Sequence, residues 1–258
     1  MLLKLRSSVI LVKHFYLHHI PFWAFTFATV GSLLVYIIAV SYDHVQPVVP
    51  FLSQLAIYPP EKYVFWFFST IYAILVIFSQ WIWCAVVRRK MKRSLQSRIL
   101  FVLVDLTALL MTISGMFILG LTYIDTLTNN VLHYNLTIAN FVCHVSTFTI
   151  SVVITAFVFE DKLSFCAIRL IALLVMLFSS IDFDHYCYVG LQVLDANDFH
   201  YIKEYESGYE EFKWCAISEW IMTFDAYAIH ILQGLEIGEI SKSLIHSMSK
   251  STLNKNKR

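Results

Sequence analysis

Six apolar runs, at residues 22–40, 64–87, 99–121, 131–158, 163–181 and 214–235, leave this chain little choice but a membrane-spanning helical bundle. A helix that crosses hydrocarbon needs ~20 mostly apolar residues, because ~1.5 Å of rise per residue must cover ~30 Å and every backbone N–H must be bonded within the element. Barrel strands need only ~10 residues and alternate apolar with lumen-facing polar positions, a pattern these longer runs lack. Composition points the same way. Of 258 residues 58% are hydrophobic and 14% charged, against roughly a quarter charged in soluble domains, so too little polar surface exists to coat a water-soluble globule. No internal repeat is visible, and residues 1–258 read as one all-α bundle without a soluble domain.

Orientation follows from the short connections, since Lys and Arg are retained on the cytoplasmic side. Lys4, Arg6 and Lys13 precede the first run; Arg88, Arg89, Lys90, Lys92, Arg93 and Arg98 lie between the second and third; Lys255, Lys257 and Arg258 end the tail at 236–258. Six crossings put all of these on one side, with both termini cytoplasmic. The opposite, lumenal side receives the connections 41–63, 122–130 and 182–213, the last with Lys203 and Lys213 against eight carboxylates. The first run is long and lacks a small-x-small cleavage site, so it is expected to remain as an uncleaved helix. The Arg88–Arg93 cluster is read as the topogenic signal ahead of a site for anionic lipid heads. A net charge of +1 gives no field for nucleic acid.

Ionisable groups within hydrocarbon cost about 3 kcal/mol on insertion scales and therefore mark either interhelical contacts or wet cavities. The candidates are Asp105, His144, Glu219, Asp225 and His230. By helix rise Asp105 lies ~10 Å from the cytoplasmic face and His144 ~20 Å from the other, so these two and Asp225 come out near one level. They are expected to act as hydrogen-bonding glue between helices, with a proton or cation relay as the alternative. Glu219 and His230 share a stripe but sit ~16 Å apart along the axis, too far for one acid/base pair.

Asp182, Asp184, His185 and, further on, His200 have the ligand types of a hard-cation or zinc site, yet match no ligand spacing, and an acidic, solvated lumenal loop accounts for them. No metal site and no cofactor are expected. Five cysteines form no CxxC pair; Cys187 and Cys215, near the lumenal ends of the fifth and sixth runs, are a candidate bridge in an oxidising compartment. Asn135-Leu136-Thr137 is a glycosylation sequon close to the bilayer. Neither a P-loop, a dinucleotide fingerprint, HExxH nor a nucleophile elbow occurs.

The stretch YIIAVSYDHVQPVVPFLSQLAIYPPEKYVFWF, from Tyr36 to Phe67, resembles the first lumenal loop of the DRAM family, the damage-regulated autophagy modulators. The shared elements are His44, Val45 and Pro47, then Pro50, Phe51 and Ser53, then Pro59, Pro60 and Glu61. A second match, Ala216-Ile217-Ser218-Glu219-Trp220, is similar to the family's Ala-x-Cys-Glu-Trp, with Ser218 in place of the Cys; Asp105 and the long acidic fifth connection depart from the pattern. The wider FRAG/DRAM/SFK superfamily also holds factors for lipid remodelling of GPI anchors. The resemblance implies a lysosomal or other endomembrane protein, a non-enzymatic modulator of autophagy and lysosome function acting through membrane lipids or through membrane or cytosolic proteins. GPI-anchor lipid remodelling at the Golgi is the alternative. Four prolines stiffen the first loop by fixing φ and removing donors, which makes it a non-helical cover. Glu61 and Glu219 are expected to fasten that cover to the bundle rather than bind a ligand.

Overall fold

The computed structural model describes residues 17–91, 98–159, 162–193, 205 and 207–255, with backbone alone for 191 and 244–255. Among them run six long helices: α1 (His19–Ser41), α2 (Glu61–Met91), α3 (Arg98–Tyr123), α4 (Thr126–Val158), α5 (Leu163–Val193) and α6 (Tyr209–Lys255). A single 3-10 turn, Gln54–Ala56, interrupts the connection after α1. Helices α1 to α5 are long and apolar enough to cross a membrane on composition alone. The run in α6 is broken by Glu219, Asp225, His230 and Gln233; of these, Glu219, His230 and Gln233 are buried by the other helices, so hydrocarbon never meets them.

Each helix packs on its neighbour in sequence, α6 closes the ring against α1, and α6 also reaches across to α2. Helices come close where side chains are small. On α1 the buried stripe is Ala24, Ala28, Gly31, Ser32, Val35 and Ala39, and a Cβ on Gly31 would lie 2.5 Å from the Phe68 Cβ. Gly115 of α3 does the same against α2, where a Cβ would meet Ile77 at 2.6 Å. Charge placement supports the helix ends: Glu61 opens α2, and Arg88, Arg89 and Lys90 close it, each sign matched to the local end of the helix dipole.

One end of the bundle carries the connection 42–60, the α3–α4 turn, the end of α5 and the start of α6; it is called the loop end, and the other the basic end. Between α3 and α4 only Ile124 and Asp125 intervene, not the longer loop 122–130 expected. The reason is capping. Asp125 Oδ1 accepts the Thr128 N–H and hydroxyl, both at 2.7 Å, and its Oδ2 takes Lys62 Nζ at 2.7 Å. Asn129 then leaves the helical region (φ −161°, ψ 90°), and its Oδ1 accepts the Leu132 N–H at 3.0 Å, recapping α4 beyond the kink.

Burial raises the Asp125 carboxyl, but the bonds from Lys62 and Thr128 outweigh it and hold the group below its ordinary range. A lowered carboxylate contributes stability that is complete above the unfolded-state pKa and is lost as pH falls through the folded one. Asp125→Ala is therefore expected to cost about 1 kcal/mol near neutrality. Unfolding midpoints of the two proteins, measured from pH 7 downward, should converge below about pH 4.

Two further boundaries move. Helix α5 runs on to Val193 rather than ending at 181, because Phe183, Cys187 and Gly190 continue its buried stripe onto Phe212 and Cys215 of α6. Asp182, Asp184 and His185 consequently lie on the exposed side of a helix and not in a loop. Likewise α6 continues through 236–255, where a tail was expected. His200, Asp195, Asp198, Lys203, Glu204 and Glu206, with the N-terminal basic residues, Lys92, Arg93, Lys257 and Arg258, fall outside the described residues.

Candidate functional site beneath the first connection

Residues 42–60 fold over the loop end as a cover, and side chains from three helices fasten it. Tyr36 of α1 donates its hydroxyl to the Pro47 carbonyl at 2.7 Å, and Trp220 of α6 donates Nε1 to the Pro50 carbonyl at 2.8 Å. Glu219 accepts the Leu52 N–H at 2.7 Å and the Ser53 N–H beside it. His44 Nδ1 donates to Glu61 Oε1 at 2.5 Å, with His44 packed between Tyr42 and Tyr58 and Glu61 1% exposed at the start of α2. Pro59 and Pro60 precede that start through a cis peptide bond. Val49 sits at φ 44°, a conformation costing a β-branched residue on the order of 1–3 kcal/mol; the fixed carbonyls of Pro47 and Pro50 on either side hold it there.

Under the cover is a hollow of about 350 Å³, walled by α4, α5 and the loop, with Ser53, His133, Tyr134, Asp184 and Glu219 among its lining. A smaller one, about 100 Å³, continues inward past Tyr72, Asn140 and His144, and Ser53, His133, Thr137 and Glu219 line both. Three of the titratable groups here are already engaged, while His144 Nε2, on the smaller hollow, has no hydrogen bond. Glu219 carries the loop amides, His133 Nδ1 donates to the Ile124 carbonyl at 2.5 Å, and Asp184 accepts the Tyr134 hydroxyl at 3.4 Å.

Cys187 and Cys215 form a disulfide beside the hollow, tying α5 to α6, while Cys84, Cys143 and Cys166 are free thiols. Alkylation of denatured protein is expected to modify three cysteines without reductant and five with it, read as the mass difference. Five under both conditions would contradict the bridge.

Asp105, His144 and Asp225 do not meet. The Asp105 side chain is 63% exposed and pairs with Arg88 near the basic end, because α3 turns Val104, Thr107, Ala108 and Met111 inward and Asp105 lies off that stripe. His144 Nδ1 donates to the Asn140 carbonyl at 3.0 Å, with Ser114 nearby. Asp225 is half-buried on α6, its Oδ2 without a hydrogen bond. A relay through these three is thus not assembled. Among the described residues no three His, Cys, Asp or Glu side chains converge as a metal site. Asn135 is exposed on α4, while Thr137 of the same sequon is buried and donates to the His133 carbonyl at 3.0 Å.

The polar residues inside the bundle continue below this chamber in a way the spacing argument missed. His230 bonds Gln233 at 2.9 Å, Gln233 donates to Gln80 at 2.6 Å, and Gln80 donates to Thr107 at 3.0 Å. Toward the basic end Arg169 of α5 and Glu236 of α6 pair at 2.9 and 2.5 Å; Trp83 Nε1 also donates to Glu236 at 2.5 Å, and Arg169 donates to Ser151 at 3.1 Å. An arginine within an apolar run is the signal that would have found this pair.

Residues 16–240 match the model of one protein family, described as the Frag1/DRAM/Sfk1/Cwh43P N-terminal domain. Neither a curated protein nor a solved structure matches the chain. With the family model spanning nearly all of a six-helix bundle whose first connection and sixth helix interlock, the chain belongs to the Frag1/DRAM/Sfk1/Cwh43P N-terminal domain family.

Proposed function

We propose that this membrane protein is a non-enzymatic modulator of autophagy and lysosome function, set in an endomembrane with both termini cytoplasmic and acting through lipid or a protein partner at the loop-capped hollow. The observation that carries this reading is the use made of the DRAM-like motif residues: His44 with Glu61, and Glu219 with the Leu52 amide, are clasps on a cover rather than groups poised on a substrate. Sidedness is supported by Arg88, Arg89 and Lys90 at one end of the bundle and the Cys187–Cys215 bridge at the other, since lysines and arginines stay cytoplasmic and disulfides persist in lumenal spaces. A second reading, lipid remodelling of GPI anchors at the Golgi, draws on the presence of His133, Asp184 and Glu219 around one chamber. Localising a C-terminally tagged chain while following autophagic flux in cells lacking the protein separates the two. Lysosomal staining with altered flux is expected; Golgi staining with normal flux would overturn the first reading.

A further inference from the structure

The hollow beneath the cover does not end at the loop. A second hollow of about 280 Å³ lies between α4 and α5 further toward the basic end, and the two share Phe183 and Asp184 in their walls. On α4 the first is lined by Thr126 and, beyond the kink, from Asn130 to Thr137, and the second from Ile138 to Ser146. Together they form a furrow running about 24 Å along the helix by its rise. That is deeper than one leaflet of a ~30 Å hydrocarbon slab, and the combined space lies within the range of ligand sites, ~300–1,000 Å³.

Its two ends differ in chemistry. The inner stretch is walled mostly by apolar side chains, Ile138, Phe141, Val145 and Met222, with the hydroxyls of Ser146 and Ser180, and Val142 on its edge is 58% exposed on the flank that faces lipid. The outer stretch holds Ser53, His133, Asp184 and Glu219. An apolar slot open to lipid and ending in a polar chamber fits an amphiphile standing in one leaflet with its head under the loop. Charge then selects the head. Among the described residues neither hollow is lined by a Lys or Arg, whereas two carboxylates face the outer one. A phosphate would be repelled there without a compensating cation, and an ammonium would be attracted. Asp184 sits exposed at the rim, where among the described residues it accepts only the long contact from Tyr134. The carboxylate of Glu219, deeper in, keeps acceptor capacity beyond its two amide bonds.

We infer that the α4–α5 furrow binds a long-chain lipid whose head is a primary amine without phosphate, the chain between α4 and α5 and the ammonium between Asp184 and Glu219. This assignment rests on the binding reading of the same hollow and names its ligand class.

The test uses the full chain in nanodiscs of zwitterionic lipid and a photoactivatable long-chain amine, with a phosphate-headed probe of identical chain as the control. The amine probe should label α4 or α5, the phosphate probe roughly tenfold less. Asp184→Asn should lower amine labelling by about tenfold while the thermal unfolding midpoint is kept; Val142→Trp, which fills the slot from its edge, should lower it as well. A short-chain amine of the same head should not displace the probe. Equal labelling by both probes, labelling indifferent to both substitutions, or displacement by the short amine would each overturn the assignment. Failure of this labelling in a protein that still stains lysosomes removes the ligand class and leaves the functional reading standing. Golgi staining with selective labelling does the reverse.

Discussion

Glu236→Ala is expected to destabilise the folded protein by about 3–5 kcal/mol, the largest loss of any single substitution considered. Arg169 is 2% and Glu236 0% exposed, so removing the carboxylate leaves a guanidinium in the bundle interior without its counter-charge. It also strips Trp83 of the acceptor for Nε1 and leaves Arg169 with Ser151 and the Trp83 ring, 5.0 Å from its Cζ. Arg169→Met should cost a comparable amount for the mirror reason, an uncompensated carboxylate. The double variant Arg169→Met/Glu236→Leu is expected to recover most of the loss, because apolar groups of similar size incur no desolvation penalty there. Unfolding in detergent micelles, run as a double-mutant cycle, measures this. Single losses under about 1 kcal/mol, the value typical of exposed pairs, would show that the two groups are solvated.

Glu219→Ala is expected to release the cover. A charged acceptor is worth about 1.5–3 kcal/mol per hydrogen bond, and Glu219 holds two neighbouring amides of the loop. With the acceptor gone, the cover beyond the Pro50 carbonyl, still held by Trp220, loses its anchor at Leu52 and Ser53. Exchange of the Leu52 and Ser53 amide hydrogens should accelerate by about 30–150-fold, the equivalent of 2–3 kcal/mol. Trp220→Phe, which loses only the bond to the Pro50 carbonyl, should give about tenfold. Glu219→Gln retains one side-chain oxygen and should fall between the wild type and alanine. Unchanged exchange in Glu219→Ala would mean that the prolines and the clasps from Tyr36, Trp220 and Glu61 order the loop without Glu219.

Which parts of this architecture the sequence reveals depends on the reach of the interactions. Apolar runs are local, so the presence of six helices is legible from run length alone. Their ends are less so: the stripe Phe183, Cys187 and Gly190 keeps α5 helical beyond the acidic positions that look like a loop, since those acids lie exposed beside that stripe. Helical phase also decides Asp105. One position from buried Val104, it is turned outward to Arg88, so level within the membrane was a poor guide to its partners. Arg169 is a single charge inside the apolar run 163–181, and Glu236 lies one residue beyond the end of the sixth run at 235, so run length alone sets the two partners in different segments. The clasp between Glu219 and Leu52 spans 167 residues, and no spacing rule reaches that far. The motif residues marked the loop and the start of the sixth helix separately; only the fold brings them together above one hollow.

The lipid composition of a GPI-anchored reporter purified from cells with and without the protein, measured by mass spectrometry, decides between a hollow that binds and one that remodels. Identical anchors in the two are predicted. Anchors that lose their remodelled chains without the protein, and regain them when the wild type is restored, would contradict the binding reading.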